Sequence, residues 1–482
     1  MMPRLALIVA VTVLVLIGIV MVFSASTVEA IHNGDSAVSY VVKQTVFAAV
    51  GTAFAALVYR CDYRALLGGW AFWAFWGICA LLLLAVPFIG TNILGATRWI
   101  YIGGFSLQPT EFAKIMLVAA GAKLLYEMRE EMRDVRQTLL FVLVLVLLPL
   151  AFLYKTQSDM GSAVVIFVGL VAVMWLGEVP TRYVGIICLA VVLIGALGIV
   201  GYRADRVAVW LNPWSDQYGD GYQMIRSFYA FSEGGLIGVG LGNSREKFLY
   251  LPEAETDFIF SIIGEELGLL GTLLVVVLFL VVLYCGLRIA QRAAEPFGAM
   301  LAGGLTCMLV GQAFLNMACA TGLFPTTGKP LPFISSGGSS IMASLLMVGI
   351  ILSVSRVAGE QAMAPQRSVA ERRRANLNFI RVEDAAARDA SRPSRATRQD
   401  ERASEARPAR QRRARGSAFG GVMAPRSDAP AARGDSPSGD SRGSQRRSSR
   451  GSSRAETPTR ASARGSRRTN QGGRRGGGRS IR

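Results

Sequence analysis

The sequence predicts an all-α integral membrane protein of about ten transmembrane helices, followed by a long charged tail. The 482-residue chain is 52% hydrophobic and only 17% charged, and its mean hydropathy is +0.39. An ordinary soluble domain is about 25% charged. The apolar residues gather in stretches long enough to cross a bilayer, which takes about 20 residues. The net charge of +18 comes from one end of the chain.

The charge divides the chain into two parts. Residues 361–482 contain 30 Arg, no Lys and 11 acidic residues, whereas residues 1–360 contain 21 basic and 22 acidic residues. This division excludes a single soluble globular enzyme. We therefore expect a polytopic membrane domain over 1–360 and an Arg-rich cytoplasmic tail over 361–482, which has too few apolar residues to fold.

Two interpretations of the tail stay open. It is either a solvated spacer or a segment that binds anionic lipid head groups or an acidic cytoplasmic division protein. Its charge would also attract nucleic acid without specificity, but nothing in its sequence indicates a specific nucleic-acid site.

The first apolar stretch, residues 5–23, is longer than the apolar core of a signal peptide, which has about 7–15 residues. We interpret it as a retained anchor rather than a cleaved signal peptide. The other predicted spans are 40–59, 70–88, 108–126, 138–153, 161–177, 183–201, 257–286, 298–322 and 340–357.

Basic residues in the short loops predict the orientation. With a cytoplasmic N-terminus, the inner loops carry Arg60, Arg64, Arg129, Arg133, Arg136, Arg182, Arg288 and Arg292, and the short outer loops carry only Arg98, Lys155 and Lys329. Positive charge favours the cytoplasmic side, so both termini are predicted to be cytoplasmic. Residues 202–256 then form a large extracytoplasmic loop between helices 7 and 8, and the outer face is the place to look for chemistry.

The run LPEAETDFIFSIIGEELG, residues 251–268, offers the first candidate group, Asp257. Asp257 or Thr256 can cap the following helix, or the Asp257 carboxylate can act as a general base at the membrane surface. Glu265 and Glu266 lie within the predicted span, where a carboxylate is costly. They must be paired, protonated or turned to a polar cavity.

The run GATRWIYIGGFSLQPTEFAK, residues 95–114, offers a second cluster. Arg98 can bind a phosphate, and its neighbour Trp99 can anchor in the head-group layer; simple anchoring at the interface is the alternative. Glu111 and Lys114 are three residues apart and share one face of a helix.

Two further segments contain polar residues next to predicted spans. The first is KTQSD, residues 155–159. The second, GLFPTTGKPLPFISSGGSS, residues 322–340, has three prolines that prevent a regular helix. Non-helical backbone at membrane depth is tolerated where it lines a cavity. Lys329 in this segment can contact a phosphate.

Other residues exclude several kinds of functional site. The glycine run at 234–242 lacks a Walker Lys-Ser/Thr, so we expect a re-entrant or interfacial hairpin there rather than a nucleotide loop. The six cysteines have no zinc or disulfide spacing. The single histidine, His32, excludes a His-based metal centre and a Ser-His-Asp triad.

Together these runs resemble the SEDS family of bacterial shape, elongation, division and sporulation proteins, over about residues 1–360. NPWSDQYGDGYQ and GVGLGNSREKFLYLPE make the chain more similar to the division member of the family than to the elongation member. The resemblance implies a peptidoglycan glycosyltransferase that polymerises lipid II into glycan strands on the outer face of the cytoplasmic membrane, at the division septum. It also implies undecaprenyl pyrophosphate as the leaving group, and a class B penicillin-binding protein and other division proteins as partners among the membrane lipids.

The resemblance makes Asp257 the catalytic acidic residue. The resemblance implies no certain cofactor, and a divalent cation (Mg²⁺ or Mn²⁺) stays a candidate. Glu255 stands where the family often has His, and we expect this carboxylate to raise the pKa of Asp257. We expect the cations Arg98, Lys114 and Lys329 to contact the pyrophosphate. The full set of expected substrate contacts is Arg98, Trp99, Glu111, Lys114, Gln157, Asp159, Gln223, Glu253, Thr256, Glu265, Lys329, Ser335 and Gly337.

Three alternatives stay open: a lipid II flippase or other transporter, an elongation polymerase of the same family, and a non-catalytic scaffold that recruits a penicillin-binding protein. A transporter is expected to spread its charged groups at the bilayer midplane. Here the polar motifs cluster on the predicted outer loops, which favours chemistry at the outer face.

Overall fold

The computed structural model describes residues 2–32, 34, 36–93, 96–102, 105–128, 134–144, 148–157, 159–202 and 204–363. The described part is mostly helical, which confirms the predicted fold class. The predicted tail lies outside the described residues beyond Met363, and Arg129 and Arg133 of the predicted inner loops lie outside them too.

The helices follow one another as α1 (Met2–His32), α2 (Ala37–Arg60), α3 (Tyr63–Gly68), α4 (Trp70–Ile89), α5 (Pro109–Glu127), α6 (Val135–Val142), α7 (Leu148–Gln157), α8 (Met160–Leu176), α9 (Thr181–Tyr202), α10 (Ala204–Leu211), α11 (Tyr222–Gly234), α12 (Ile259–Gln291), α13 (Pro296–Ala320) and α14 (Gly338–Met363). A 3-10 helix spans Pro213–Asp216, and three strands, β1 (Thr91–Ile93), β2 (Ala96–Ile102) and β3 (Phe105–Leu107), lie between α4 and α5.

Every predicted span falls on helix in the described residues. The stretch 138–153 contains α6, which ends at Val142, and α7, which begins at Leu148, and residues 145–147 lie outside the described residues. Among the described helices, α1, α2, α4, α12, α13 and α14 are long and apolar enough to cross a membrane, and α8 and α9 contain shorter apolar segments. The count of ten spans and their orientation stay predictions.

Helix α13 forms the centre of the described bundle. It packs against α5, α8, α12 and α14, while α1 packs on α12 and α2 on α14. Two glycines allow α8 and α13 to approach closely, because a Cβ built on Gly169 would lie 3.4 Å from the Gly304 carbonyl oxygen. Small residues are the usual means of bringing helix backbones together in a membrane.

The three strands form a small antiparallel sheet in the order β1-β2-β3. Thr91 pairs with Trp99, and Ile100 pairs with Leu107. The sheet bridges the end of α4 and the start of α5, so it fixes the part of the chain that carries Arg98 and Trp99.

Helix α12 is broken at Gly268, where φ is 68°. The segment after α11 lies beside the break and takes over its backbone hydrogen bonds. Val239 N donates to Glu265 O (3.0 Å), and Leu270 N donates to Leu236 O (3.2 Å). The approach is so close that a Cβ on Gly238 would lie 2.1 Å from the Glu266 carbonyl oxygen. The predicted glycine-rich hairpin is therefore an irregular segment paired with a broken helix.

Candidate active site

The sequence runs that contain Arg98, Asp257 and Lys329 meet at one cavity of about 410 Å³. It brings together eight of the residues that the sequence singled out: Arg98, Trp99, Gln223, Glu253, Thr256, Asp257, Lys329 and Gly337. Strand β2, helix α11, the loop before α12 and the loop before α14 each contribute part of the wall, so residues up to about 240 positions apart share one site.

Asp257 is presented to the cavity by a loop. Helix α12 starts at Ile259, and its N-cap residue is Phe258, with no side-chain capping bond. The capping role considered for Asp257 and Thr256 is therefore wrong, since the Thr256 hydroxyl donates instead to the Glu253 carboxylate (2.7 Å). The Asp257 side chain is only partly exposed, which leaves its carboxylate available to a ligand in the cavity.

The environment of Asp257 raises its pKa to about 6. Burial is the main cause and the Glu253 carboxylate adds to it, while Lys329 and Arg98 act in the opposite direction. The acidic neighbours that raise the pKa of Asp257 most are thus Glu253 and then Asp159, rather than the expected Glu255. Burial and a hydrogen bond with Glu29 raise the pKa of Glu255 itself to about 8. A pKa near 6 suits a general base that works at neutral pH.

One amide holds the two loops of the site together. The Asn316 side chain, in α13, donates from Nδ2 to the backbone oxygens of Asp257 (2.7 Å) and Lys329 (2.8 Å). Sequence reasoning missed Asn316, because it lies inside an apolar span. A buried amide in such a span was the signal that could have found it.

A second set of bonds joins the same loops. The Ser335 hydroxyl donates to Thr256 O (2.6 Å) and accepts from Leu331 N (2.7 Å), and Ser336 N donates to Glu255 O (2.8 Å). Ser335 was expected to contact substrate. The structure places it behind the wall of the cavity, where it fixes the backbone next to Asp257.

Gly328 lies beside both the carboxylate of Asp257 and the guanidinium of Arg98. A Cβ at this position, where φ is 67°, would lie 3.4 Å from Asp257 Oδ2 and 3.8 Å from Arg98 Nη1. The Arg98 Nε donates to the backbone oxygen of Gln157 (3.1 Å), which holds the side chain in place. A glycine here leaves room for a ligand group between the acid and the cation.

Lys329 is tied to a buried carboxylate. Its Nζ donates to Asp159 Oδ2 (2.8 Å) and to the Ser162 hydroxyl (2.6 Å). Burial raises the pKa of Asp159, but the charges of Lys329 and Arg98 outweigh this effect and hold it at about 2. Asp159 also accepts from Ser162 N (3.0 Å) at the start of α8. Asp159 thus positions Lys329 instead of lining the cavity.

Four other residues expected to contact substrate do not line the cavity. Their side chains are instead bonded to protein groups, as buried polar groups must be. Lys114 Nζ donates to Glu111 (2.7 Å) and to Gln312 Oε1 (2.5 Å), and Gln157 Oε1 accepts from Thr110 (2.9 Å). Glu265 accepts from the Ser244 hydroxyl and from Arg245 N, both at 2.5 Å. The expectation that Lys114 contacts a phosphate in this cavity is therefore corrected, as are those for Glu111, Gln157 and Glu265.

The described residues do not form a metal centre on their own. In the described part of the chain, no group of three or more His, Cys, Asp or Glu side chains could hold a metal ion. Asp257 and Glu253 are the acidic side chains that line the cavity. One or two carboxylates hold Mg²⁺ only together with other oxygen donors such as substrate phosphates, so these two side chains would hold a divalent cation only with a phosphate-bearing ligand in the cavity.

Known proteins place this architecture in one family. The family model described as "Cell cycle protein", which covers FtsW, RodA and SpoVE, matches residues 4–360. A Geobacter metallireducens protein called "Probable peptidoglycan glycosyltransferase FtsW" is 42% identical over 343 residues, which are 70% of this chain and 90% of that protein. The stage V sporulation protein E of Bacillus subtilis is 40% identical over 73% of this chain and 97% of its own length.

Two solved structures agree. A chain of a peptidoglycan synthase complex, described as coordinating polymerization and crosslinking, has a TM-score of 0.61 at 29% identity and covers 73% of this chain and 97% of its own length. The rod shape determining protein RodA of Thermus thermophilus has a TM-score of 0.54 at 26% identity, and the match covers 73% of this chain and 95% of that protein.

Replacing Asp159 with Asn should destabilise the protein strongly. The change leaves the Lys329 ammonium buried without its counter-charge, and breaking such a pair costs about 3–5 kcal/mol. We expect a clearly lower midpoint of thermal unfolding in detergent. The matched control is Glu360→Gln, which breaks a largely exposed pair with Arg356 and should cost about 0.5 kcal/mol or less. Equal midpoints for the two variants would contradict the structural role of Asp159.

Proposed function

The chain belongs to the cell cycle protein family of FtsW, RodA and SpoVE, and from that membership we propose a peptidoglycan glycosyltransferase that polymerises lipid II for the division septum. The protein is a multi-pass membrane protein, and we propose that its cavity faces the outer side of the cytoplasmic membrane. The observation that carries the proposal is the Asp257 carboxylate, which lines the cavity together with Arg98 and Gly328 and has a raised pKa.

The proposed reaction uses Asp257 as the base. Its carboxylate takes the proton from the 4-hydroxyl of the acceptor GlcNAc as that oxygen attacks the anomeric carbon of the donor MurNAc. The bond from this carbon to the pyrophosphate oxygen breaks, and undecaprenyl pyrophosphate leaves with the bonding electron pair. General-base assistance of this kind contributes about 10²–10⁴-fold to a rate.

Arg98 is the cation best placed for the leaving pyrophosphate. It lines the cavity and its Nη1 approaches the gap at Gly328, and guanidinium groups bind phosphate oxygens in a bidentate manner. Lys329 lines the same wall, but its ammonium is bound to Asp159 and Ser162. We propose that Lys329 contributes positive potential and that Arg98 makes the direct contact.

The partner follows from the structural neighbours. One neighbour belongs to a peptidoglycan synthase complex described as coordinating polymerization and crosslinking. We propose that this chain likewise works with a crosslinking enzyme, a class B penicillin-binding protein, and that the two act together at the septum.

Purified chain with its cognate penicillin-binding protein should form glycan polymer from labelled lipid II. Asp257→Asn should reduce the polymerisation rate at least about 100-fold, because it removes the base and keeps the size of the side chain. The amount of polymer over time is the measurement. Glu360→Gln, which does not line the cavity, serves as the control for protein handling.

Three outcomes would contradict the proposal. Equal polymer from the wild type and Asp257→Asn would remove Asp257 from the reaction, and no polymer from either would remove the polymerase activity. Movement of lipid II across vesicle membranes without polymer would favour the transporter instead.

The polymerisation rate should fall below about pH 6. The base is active when ionised, and a pKa of about 6 leaves Asp257 mostly ionised at pH 7 and mostly protonated at pH 5. Glu253→Gln should move the midpoint of this limb to lower pH, since the Glu253 charge helps to raise the pKa of Asp257. Initial rates between pH 4.5 and about 8 test this. An unchanged midpoint in Glu253→Gln would contradict the assignment of the limb to Asp257.

Deleting residues 365–482 should leave polymerisation in detergent intact, because the cavity is built from residues 98–340. We propose that the Arg-rich tail acts in recruitment through anionic lipid or an acidic partner, so the truncated chain should be recruited less to the septum. Microscopy of a fluorescent fusion measures recruitment. Complete loss of catalysis in the truncated chain would contradict this division of roles.

A further inference from the structure

The glycine-rich segment 235–242 displays apolar side chains away from the protein. Leu236 is 69% exposed, Ile237 79% and Leu241 54%. No charged residue occurs from Gly234 to Ser244, although Glu233 and Arg245 flank the stretch. An uncharged, outward-facing apolar segment of this kind is costly in water and indicates a surface that contacts something apolar.

The backbone of the segment meets the requirement for entering lipid. Polar backbone groups must be bonded within the protein before they can leave water. Gly238 N donates to Gly234 O (2.8 Å), Val239 N to Glu265 O (3.0 Å) and Gly240 N to Glu266 O (3.0 Å). The segment therefore exposes apolar side chains while backbone N–H groups at its centre are hydrogen-bonded within the protein, two of them to α12.

The hydrogen bond from Leu270 N to Leu236 O sets the depth of the segment. Leu270 and Arg288 are 18 residues apart in α12, which is about 27 Å of helix. The hydrocarbon core of a bilayer is about 30 Å thick, and Arg288 lies at the predicted cytoplasmic end of the span. Leu270, and Leu236 beside it, therefore lie at the outer boundary of the hydrocarbon.

The segment is also continuous with a lipid-facing surface. In α12, the first turns after the break expose the leucines Leu269, Leu270, Leu273 and Leu274. These side chains belong to a helix long and apolar enough to cross the membrane. Lipid that covers these leucines reaches the neighbouring side chains of Leu236 and Ile237.

We propose that segment 235–242 inserts its apolar side chains among the acyl chains of the outer leaflet and anchors the large extracytoplasmic loop to the membrane surface. The occupant of this surface is phospholipid. The segment connects α11, which supplies Gln223 to the cavity, to the loop that carries Asp257, so the anchor fixes both at the lipid surface. The proposal does not depend on glycosyl transfer.

Spin labels test the insertion. The full chain with the exposed Cys61 changed to Ser is labelled at Ile237→Cys or, separately, at Leu241→Cys, in nanodiscs of phosphatidylethanolamine and phosphatidylglycerol. The measurement is the relaxation of each label by oxygen, which concentrates in lipid, compared with its relaxation by a water-soluble nickel chelate. The lipid reference is Leu273→Cys, and the aqueous reference is Asp220→Cys, an exposed residue of the same loop.

Labels at positions 237 and 241 should resemble the Leu273→Cys label, with oxygen accessibility higher than that of the nickel chelate. A pattern like that of Asp220→Cys would overturn the proposal, and so would low accessibility to both reagents, which indicates a surface covered by protein. The two positions are independent, so a fold defect in one variant, visible as a lowered unfolding midpoint, leaves the other to decide.

Discussion

The site depends on the double hydrogen bond of Asn316. Two irregular loops, one before α12 and one before α14, must meet with atomic precision although neither has regular secondary structure at the cavity. The Asn316 amide bonds one backbone oxygen of each loop, at Asp257 and at Lys329. Because Asn316 belongs to the most central helix of the described bundle, the position of the base and of the basic wall is set by the core and not by the loops alone.

The second constraint is that buried charges need partners. Lys114 is neutralised by Glu111, Lys329 by Asp159, and Lys247 by Glu266 (3.0 Å). Pairing of this kind is costly to break, and it removes most of the buried charge from chemistry. Asp257 differs because burial and its acidic neighbour Glu253 raise its pKa, and none of these ion pairs includes it. That imbalance distinguishes the proposed base from the structural carboxylates nearby.

The sequence predicted the helices and the reactive loops well, because apolar length and motif spacing are local properties. It correctly brought Arg98, Gln223, Asp257 and Lys329 to one site, since their motifs are recognisable as runs. It could not separate residues that line the cavity from residues that support it. Lys114 and Asp159 looked like ligand contacts, and only the packing of α5, α8 and α13 reveals their partners.

The break in α12 lies next to the bonds that hold the loop of the proposed base, Asp257. On the N-terminal side of Gly268, α12 carries Glu265 and Glu266, whose carboxylates bind Ser244, Arg245 and Lys247 of the preceding loop. The same loop continues to Glu253 and Asp257. The backbone oxygens of Glu265 and Glu266 therefore bind the glycine-rich segment, and the carboxylates of the same two residues bind the loop that leads to Asp257. A pair of carboxylates is costly inside a span, but here Glu265 and Glu266 join α12 to the loop that precedes it. These bonds help to hold the proposed base, Asp257, in place although its backbone is irregular.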